Sequence, residues 1–192
     1  SETANIDSIR DVRAVCKYQK AELIYKEILG LFAELDTSVT AYKLDGSSGA
    51  VITFVGAGGG VGATTAAVGC AMRIARMGKK VLFLDLTELG DTSLYFSGEG
   101  IFTLSDVLYS IKSKHANLFL KMESMVKKDA SGVFFYDSCK VPLDIRDTKP
   151  EEIERLIKAS TESKAYDYLI LDVDSAMTSR QKTVFEQSSF II

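Results

Sequence analysis

Three short runs dominated by large apolar residues organise the amino-acid sequence. They cover residues 51–55, 81–86 and 168–172. Runs of this length, rich in Val, Ile, Leu and Phe, predict strands that are buried on both faces. Between them, apolar residues recur at spacings of three and four, which predicts amphipathic helices. Strands that alternate with helices predict right-handed βαβ units, and hence an α/β fold whose mostly parallel sheet carries helices on both faces.

Weaker patterns add detail to this framework. Residues 132–136 predict another short strand, and the apolar run at residues 189–192 predicts the opening of a further one. Capping-box patterns at Thr103 and Thr148 predict the starts of two helices. Because a parallel strand needs neighbours and a following helix, the run at 189–192 also leads us to expect that the chain is part of a longer protein.

The first 48 residues predict a separate N-terminal segment. Apolar residues fall on one helical face between residues 18 and 32, and a polar, glycine-containing run at residues 45–49 predicts a linker. A single amphipathic helix cannot bury its apolar stripe alone, so this helix is expected to dock on another part of the protein. We therefore divide the chain into residues 1–48 and an α/β domain at residues 49–192.

A glycine-rich loop joins the first buried strand to the next helix. Five of the seven residues from Gly56 to Gly62 are glycine, and Thr64 and Thr65 follow them. Glycines let the backbone approach an anion closely, and a helix N-terminus points amide donors at it. A threonine hydroxyl in the first helical turn can bind a phosphate-bound Mg²⁺. The loop predicts a phosphate site, although Ala63 stands where a P-loop has its lysine; a turn without a ligand is the alternative.

The segment from Gly58 to Thr65 resembles the deviant Walker A loop of the MinD/ParA ATPases, Lys-Gly-Gly-x-Gly-Lys-Thr-Thr, and most closely that of the CpaE/TadZ pilus-assembly branch. Both lysine positions differ, since Gly58 and Ala63 take their places. The resemblance covers Ala50 to Ile192 and implies a SIMIBI-like P-loop NTPase fold that binds ATP and Mg²⁺. The implied nucleotide-binding residues are Gly58, Gly59, Gly60, Val61, Gly62, Ala63, Thr64 and Thr65.

The same resemblance implies a set of Mg²⁺ ligands at the carboxyl ends of the buried strands. Asp85 matches the first aspartate of the family's D-x-D switch segment, and Asp172 matches its Walker B aspartate. With Thr64, these residues form the predicted metal set. Thr87 replaces the switch aspartate that helps to position the attacking water in the family. No residue is therefore predicted to be catalytic.

Several polar residues near these motifs have two interpretations each. Asp91 resembles a family Gly-Asp pair or is a turn aspartate, and Asp174 lies behind the metal ligands or in a plain loop. Arg180 or Lys182 replaces the missing phosphate charge, or both lie on a solvated helix start. His115 is interpreted as a surface histidine, since no second histidine or cysteine pair accompanies it in a metal-binding pattern.

Composition narrows the partners and the compartment. The net charge of −3 and the isoelectric point of about 5.3 give no support for nucleic-acid binding, which usually needs a basic face. Three cysteines without paired spacing favour a reduced, cytoplasmic setting with neither disulfide nor zinc site. No apolar run reaches the ~20 residues of a membrane span.

The resemblance implies an ATP-binding localisation factor for pilus assembly, with weak or absent hydrolysis. Such a protein forms a homodimer across the nucleotide, binds pilus-assembly or polar landmark proteins, and is recruited to a cell pole or a membrane-associated assembly. The N-terminal helix and the run before it look like the end of that branch's receiver-like domain; a helix packed on the ATPase domain is the alternative. An active MinD/ParA-type ATPase and a nucleotide-free pseudo-ATPase scaffold remain the other two functions.

Overall fold

The computed structural model describes residues 8–9, 12–13, 20, 23–24, 26–27, 30, 49–113 and 117–192. The predicted helix at residues 18–32 is described only at its positions 20, 23, 24, 26, 27 and 30, of which the last five are helical. His115 and the linker prediction, apart from Gly49, lie outside the described residues. None of the helices in the described ranges is long and apolar enough to cross a membrane.

A six-stranded, mostly parallel sheet forms the centre of residues 49–192. Its strands are β3 (Ala50–Val55), β4 (Val81–Asp85), β5 (Lys127–Lys128), β6 (Phe134–Phe135), β7 (Tyr168–Val173) and β8 (Phe190–Ile191). The spatial order is β5-β6-β4-β7-β3-β8, and only the β5–β6 pair is antiparallel. Before this sheet, β1 (Ser8–Ile9) and β2 (Val12–Arg13) form a separate antiparallel pair.

Within residues 49–113 and 117–192, six α-helices lie between the strands. They are α1 (Ala63–Arg76), α2 (Leu104–Lys112), α3 (Leu118–Met125), α4 (Pro142–Arg146), α5 (Pro150–Glu162) and α6 (Ser179–Glu186). A short 3-10 helix covers Thr92–Leu94. The carboxyl ends of β3, β4, β6 and β7 point the same way, because these strands are parallel. The loops that follow them therefore lie along one edge of the sheet.

The sheet buries apolar side chains on both faces. Alternate residues of β4 point to opposite sides, with Phe83 packed under α1 and Leu82 and Leu84 packed under the other helices. In β7, Ile170 and Leu171 divide in the same way. This alternation follows from the two-residue period of a strand. The prediction of a mostly parallel sheet with helices on both faces is confirmed.

The element predictions are mostly confirmed, with differences in the second half. The capping box at Thr103 is present, since its amide donates to Asp106 at 2.8 Å. The second capping box begins one residue later than predicted, at Lys149, whose amide donates to Glu152 at 2.9 Å. The Thr148 hydroxyl instead donates to the Asp144 carbonyl, at 2.6 Å, at the end of α4. The short elements β5 and α4 carry too few residues to show a period, and the sequence analysis missed both.

Candidate functional site

The glycine loop leads from β3 directly into α1, as the sequence predicts. Gly62 is the residue before the helix and has φ 91°, in the left-handed region that favours glycine. Its carbonyl accepts the amide of Ala66 at 2.9 Å, so the helical hydrogen bonds begin here. The free amides of the first turn, which includes Thr64 and Thr65, therefore point back toward the loop.

Most of the loop glycines border open space. A Cβ atom added at Gly58, Gly59, Gly60 or Gly62 would meet no heavy atom within 4 Å. Gly56 differs, because its Cβ would lie 2.7 Å from Cγ2 of Val61. Gly56 is thus needed for the packing of the loop itself, whereas the other four glycines leave room beside the backbone. An anion has space to approach the amides on that side.

Asp172 lies at the end of β7 and is the most informative side chain of the site. It is only 1% exposed, and its Oδ2 atom has no hydrogen-bond partner. Its carboxylate does accept a side-chain hydrogen bond from Thr64 on α1. The pKa of Asp172 is raised to about 6, mainly by burial; the Thr64 hydrogen bond opposes this rise, and the nearby charges of Asp85 and Asp174 contribute to it.

Asp85 lies beside Asp172, since the two residues pair across β4 and β7. Both of its oxygens are already engaged. Oδ1 accepts the amide of Thr87 at 3.0 Å and its hydroxyl at 2.6 Å, and Oδ2 accepts the Ser138 hydroxyl at 2.6 Å. A Cβ at Gly90 would lie 1.9 Å from the Asp85 Oδ2, so the loop wraps tightly around this carboxylate. Metal binding by Asp85 stays a prediction, and it would require exchange of these hydroxyl partners.

Two members of the predicted metal set suit Mg²⁺. Thr64 and Asp172 supply hard oxygen ligands, and the unpartnered Oδ2 of Asp172 is a buried acceptor without a donor. Within residues 49–113 and 117–192 and the described N-terminal positions, no three His, Cys, Asp or Glu side chains form a metal-binding group. The remaining ligands would be phosphate oxygens, water and, if its hydroxyl partners are exchanged, Asp85, as is usual for Mg²⁺ bound with a nucleotide.

Arg180 is not on a solvated helix start, so that interpretation is wrong for this residue. It is 6% exposed, and its guanidinium donates to the Ile145 carbonyl and lies 3.7 Å from Glu88 and 4.0 Å from Asp174. Glu88 also accepts two hydrogen bonds from Arg146, at 3.0 and 2.6 Å. These charges tie together the loops after β4 and β7 and helix α4. Lys182, by contrast, is exposed and pairs with Glu186 at 3.8 Å.

Asp91 and Asp174, each with two interpretations from the sequence, both accept hydrogen bonds in the structure. Asp91 accepts the amide of Ser93 at 3.0 Å and its hydroxyl at 2.6 Å, which supports the interpretation as a turn aspartate. Asp174 accepts the amide of Glu88 at 3.0 Å and so fixes the loop after β4. The sequence analysis missed Ser138, which reaches Asp85 from the loop after β6. No motif surrounds it, and only the sheet order brings it there.

Comparison with solved structures defines the class of fold. A ParA family ATPase from Chlorobium tepidum TLS matches with a TM-score of 0.58 and 23% identity, over 75% of this chain and 59% of that one. MinD complexed with Mg-ADP from Pyrococcus horikoshii OT3 matches with 0.58 and 20%, over 74% and 56%. The kinase domain of the Escherichia coli tyrosine kinase ETK matches with 0.53 and 18%, over 72% and 52%. The chain thus has the MinD/ParA P-loop fold and spans 52% to 59% of these three structures.

A family model matches the N-terminal part of the chain. The TadZ-like receiver domain matches residues 1–33. Together with the fold of the remainder, this match confirms the resemblance to MinD/ParA-like proteins of the CpaE/TadZ type. A search of curated proteins finds no significant match. Because a tyrosine kinase domain shares the fold, the fold alone does not decide the activity.

Proposed function

We propose that residues 49–192 bind Mg²⁺·ATP in the glycine loop and that the bound nucleotide promotes a homodimer. The observation that carries the proposal is the buried, unpartnered Oδ2 of Asp172 beside the Thr64 hydroxyl, at the foot of the loop. An uncompensated buried acceptor is costly, and such sites cluster where a ligand is bound. Thr64 and Asp172 would hold the metal, which would neutralise the phosphates that the loop amides contact.

Binding without efficient hydrolysis fits the residues that are present. A lysine ~4 Å from a phosphate contributes up to ~4 kcal/mol at an effective dielectric constant near 20, before its desolvation. The loop amides and the Mg²⁺ ligands remain without it. Groups that stabilise the transition state of phosphoryl transfer contribute factors of ~10³–10⁵ in rate. The replacements Gly58, Ala63 and Thr87 therefore lower turnover more than affinity.

The wider role follows from the CpaE/TadZ resemblance. We propose a cytoplasmic localisation factor that is recruited to a cell pole or a membrane-associated assembly and acts on pilus-assembly or polar landmark proteins. The TadZ-like match at residues 1–33 supports a receiver-like N-terminal segment. We propose that this segment ends near residue 48. Residues 49–192 form the ATPase-like domain in this proposal.

Titration calorimetry of ATP with and without Mg²⁺ tests the binding. We expect micromolar affinity for the native chain with Mg²⁺ and a loss of at least tenfold in Thr64→Ala, because the variant lacks a metal ligand. Thr183→Ala is the matched control: it makes the same change on α6, where the hydroxyl only donates to the Ser179 carbonyl, and it should bind with nearly native affinity. Heat signals that are indifferent to Mg²⁺, or equal in the native chain and Thr64→Ala, would contradict the proposed site.

The dimer is proposed at the carboxyl edge of the sheet. Leu89, after β4, is 87% exposed, and Met177, after β7, is 81% exposed. Val61 in the glycine loop is 63% exposed. Large apolar side chains on neighbouring loops favour a protein partner over water. Because Val61 belongs to the glycine loop and β7 is the neighbour of β3, a second copy bound here would cover the nucleotide as well.

Sedimentation velocity with and without Mg²⁺·ATP tests the dimer. We expect dimers of the native chain to appear with nucleotide. Leu89→Asp, which adds a charge to the contact surface, should stay monomeric and still bind Mg²⁺·ATP, but without the part of the affinity that dimerisation adds. Met77→Asp, which adds the same charge at an exposed residue at the far end of α1, is the matched control. A dimer population that does not respond to ATP would sink this part of the proposal.

A further inference from the structure

Three of the N-terminal helical positions, Leu23, Lys26 and Gly30, lie against the edge of the ATPase-like domain that carries β5. Lys26 donates from its Nζ atom to the Val126 carbonyl at 2.5 Å, between α3 and β5. Just before these positions, Lys20 forms an exposed ion pair with Glu99. The amphipathic helix, which the sequence analysis expected to dock on another part of the protein, thus contacts the domain at two points at least.

A third contact between the N-terminal helix and the domain lies at Gly30. A Cβ atom added at Gly30 would lie 3.4 Å from the Oγ of Ser124, a buried residue of α3. A Cβ at this distance makes an ordinary van der Waals contact, whereas the ring of a phenylalanine would add bulk next to α3. Position 30 is therefore a sensitive place at which to separate the two parts.

Charge supports the same contact. Burial raises the pKa of Glu123 on α3, while a hydrogen bond from Tyr166 and the charge of Lys26 both oppose the rise. Lys26 therefore supplies positive charge from the N-terminal side to a partly buried carboxylate. Docking improves the surroundings of Glu123, and separation removes that favourable interaction.

The docked surfaces are incompletely packed. A cleft of about 460 Å³ lies between them, with Leu23 and Lys26 on the N-terminal side and residues 97–99 and Lys128 on the other. The contacts across it that involve Lys20 and Lys26 are polar, and one of them is exposed. Polar contacts are typical of interfaces between parts of a chain that can move relative to each other.

One continuous segment joins this interface to the candidate nucleotide site. It begins at Thr87, which holds Asp85, and ends at Glu99, which pairs with Lys20. Between them, the Thr92 amide donates to Ser138 at 2.9 Å, and Phe96 packs on Phe83 with ring centroids 5.2 Å apart. The same hydroxyl of Ser138 donates to Asp85. The segment is thus held by contacts at both ends and in the middle. A change in the hydrogen bonds of Asp85 is therefore transmitted along it toward Glu99.

We infer that docking of the receiver-like segment and binding of Mg²⁺·ATP are coupled and compete through residues 86–100. In the docked arrangement both oxygens of Asp85 are held by Thr87 and Ser138. A metal ion that binds Asp85 must break those hydrogen bonds. Their loss shifts the segment and weakens the contacts at residues 97–99. By linkage, separation of the helix then raises the affinity for Mg²⁺·ATP by the same factor. The inference rests on the proposed nucleotide site.

Gly30→Phe in the full chain is the direct test, with Glu27→Phe as its matched control, because residue 27 is exposed on the same helix. We expect calorimetry to show five- to tenfold tighter Mg²⁺·ATP binding in Gly30→Phe and no change in Glu27→Phe. In the native chain, saturating Mg²⁺·ATP should speed amide hydrogen exchange at residues 97–100. Circular dichroism and thermal melting establish that each variant is folded.

A charge exchange gives an independent variant if Gly30→Phe does not fold. Glu99→Lys and Lys20→Glu should each tighten Mg²⁺·ATP binding about twofold, and the double variant should return to the native value. Native binding with affinities indifferent to all these variants would overturn the coupling and leave the proposed function standing. Absence of Mg²⁺·ATP binding in every variant and in the native chain would overturn both.

Discussion

Replacement of Asp172 by asparagine is expected to stabilise the metal-free protein and to abolish Mg²⁺-dependent ATP binding. The pKa of Asp172 is raised from 3.8 to about 6, mainly by burial. A shift of about two units corresponds to ~3 kcal/mol of unfavourable free energy for the ionised form in the folded state. Asparagine carries no charge and still offers an oxygen to Thr64. The free energy of unfolding at pH 7 should therefore rise by ~1–3 kcal/mol, while a metal ligand is lost.

The pH dependence of this difference follows from the sign of the shift. Below pH ~4 the carboxyl of Asp172 is neutral in the folded and the unfolded chain, so it costs nothing. Between pH ~4 and ~6 the unfolded chain releases the proton first, and the native protein loses stability relative to Asp172→Asn. Above pH ~6 the difference is constant. Denaturant unfolding of both proteins without metal, at several pH values, measures it.

Asp91→Asn is the control for this experiment. Asp91 is exposed and accepts hydrogen bonds from Ser93, and asparagine can accept them as well. The control should show a small change in stability that lacks the rise between pH ~4 and ~6, and native ATP affinity. A native protein that is more stable than Asp172→Asn at pH 7 without metal would contradict the assignment of Asp172 as an uncompensated buried carboxylate.

Ala63→Lys is expected to raise the affinity for Mg²⁺·ATP by ten- to several-hundred-fold. Ala63 is the first residue of α1 and is half-buried beside the loop, in the position of the family's phosphate-binding lysine. The upper limit follows from ~4 kcal/mol for a charge ~4 Å from a phosphate at an effective dielectric constant near 20. Desolvation of the lysine lowers the gain. Titration calorimetry measures affinity, and single-turnover assays measure hydrolysis beside it.

The matched control is Ala66→Lys, which adds the same charge on an exposed position one turn further along α1. It should change the affinity by less than threefold. Hydrolysis in Ala63→Lys should rise from a low baseline but stay below that of an ordinary MinD-like ATPase, since Gly58 and Thr87 remain. Native turnover as fast as such an ATPase would refute the proposal of weak hydrolysis.

The family's switch aspartate should not be introduced at position 87 together with Ala63→Lys. The Thr87 hydroxyl donates to Asp85 at 2.6 Å, so Thr87→Asp would place one carboxylate against another. Like charges at that distance repel, and the loop after β4 would move. The single variant therefore tests the missing phosphate charge without disturbing the segment that reaches Glu99.

The sequence by itself determined the fold class and the position of the candidate site. The apolar runs at residues 51–55, 81–86 and 168–172 are long enough to indicate buried strands, and local spacing separates them from helices. The glycine loop carries its information in consecutive residues. Thr64 and Asp172 could be named because each stands in a short motif at the end of a strand.

Only the tertiary structure decided which polar groups are engaged. The sheet order β6-β4-β7-β3 brings Ser138 to Asp85 from 53 residues away, and no local pattern reports such a contact. The sequence is compatible with a solvated Arg180 at the start of a helix. Packing instead buries this residue against Ile145 and two carboxylates. Hydrogen-bond partners and burial depend on residues distant in sequence, whereas strand and loop patterns are local. For that reason the sequence predicted which strands and loops form the site, and the fold decided the burial and the hydrogen-bond partners of each side chain within it.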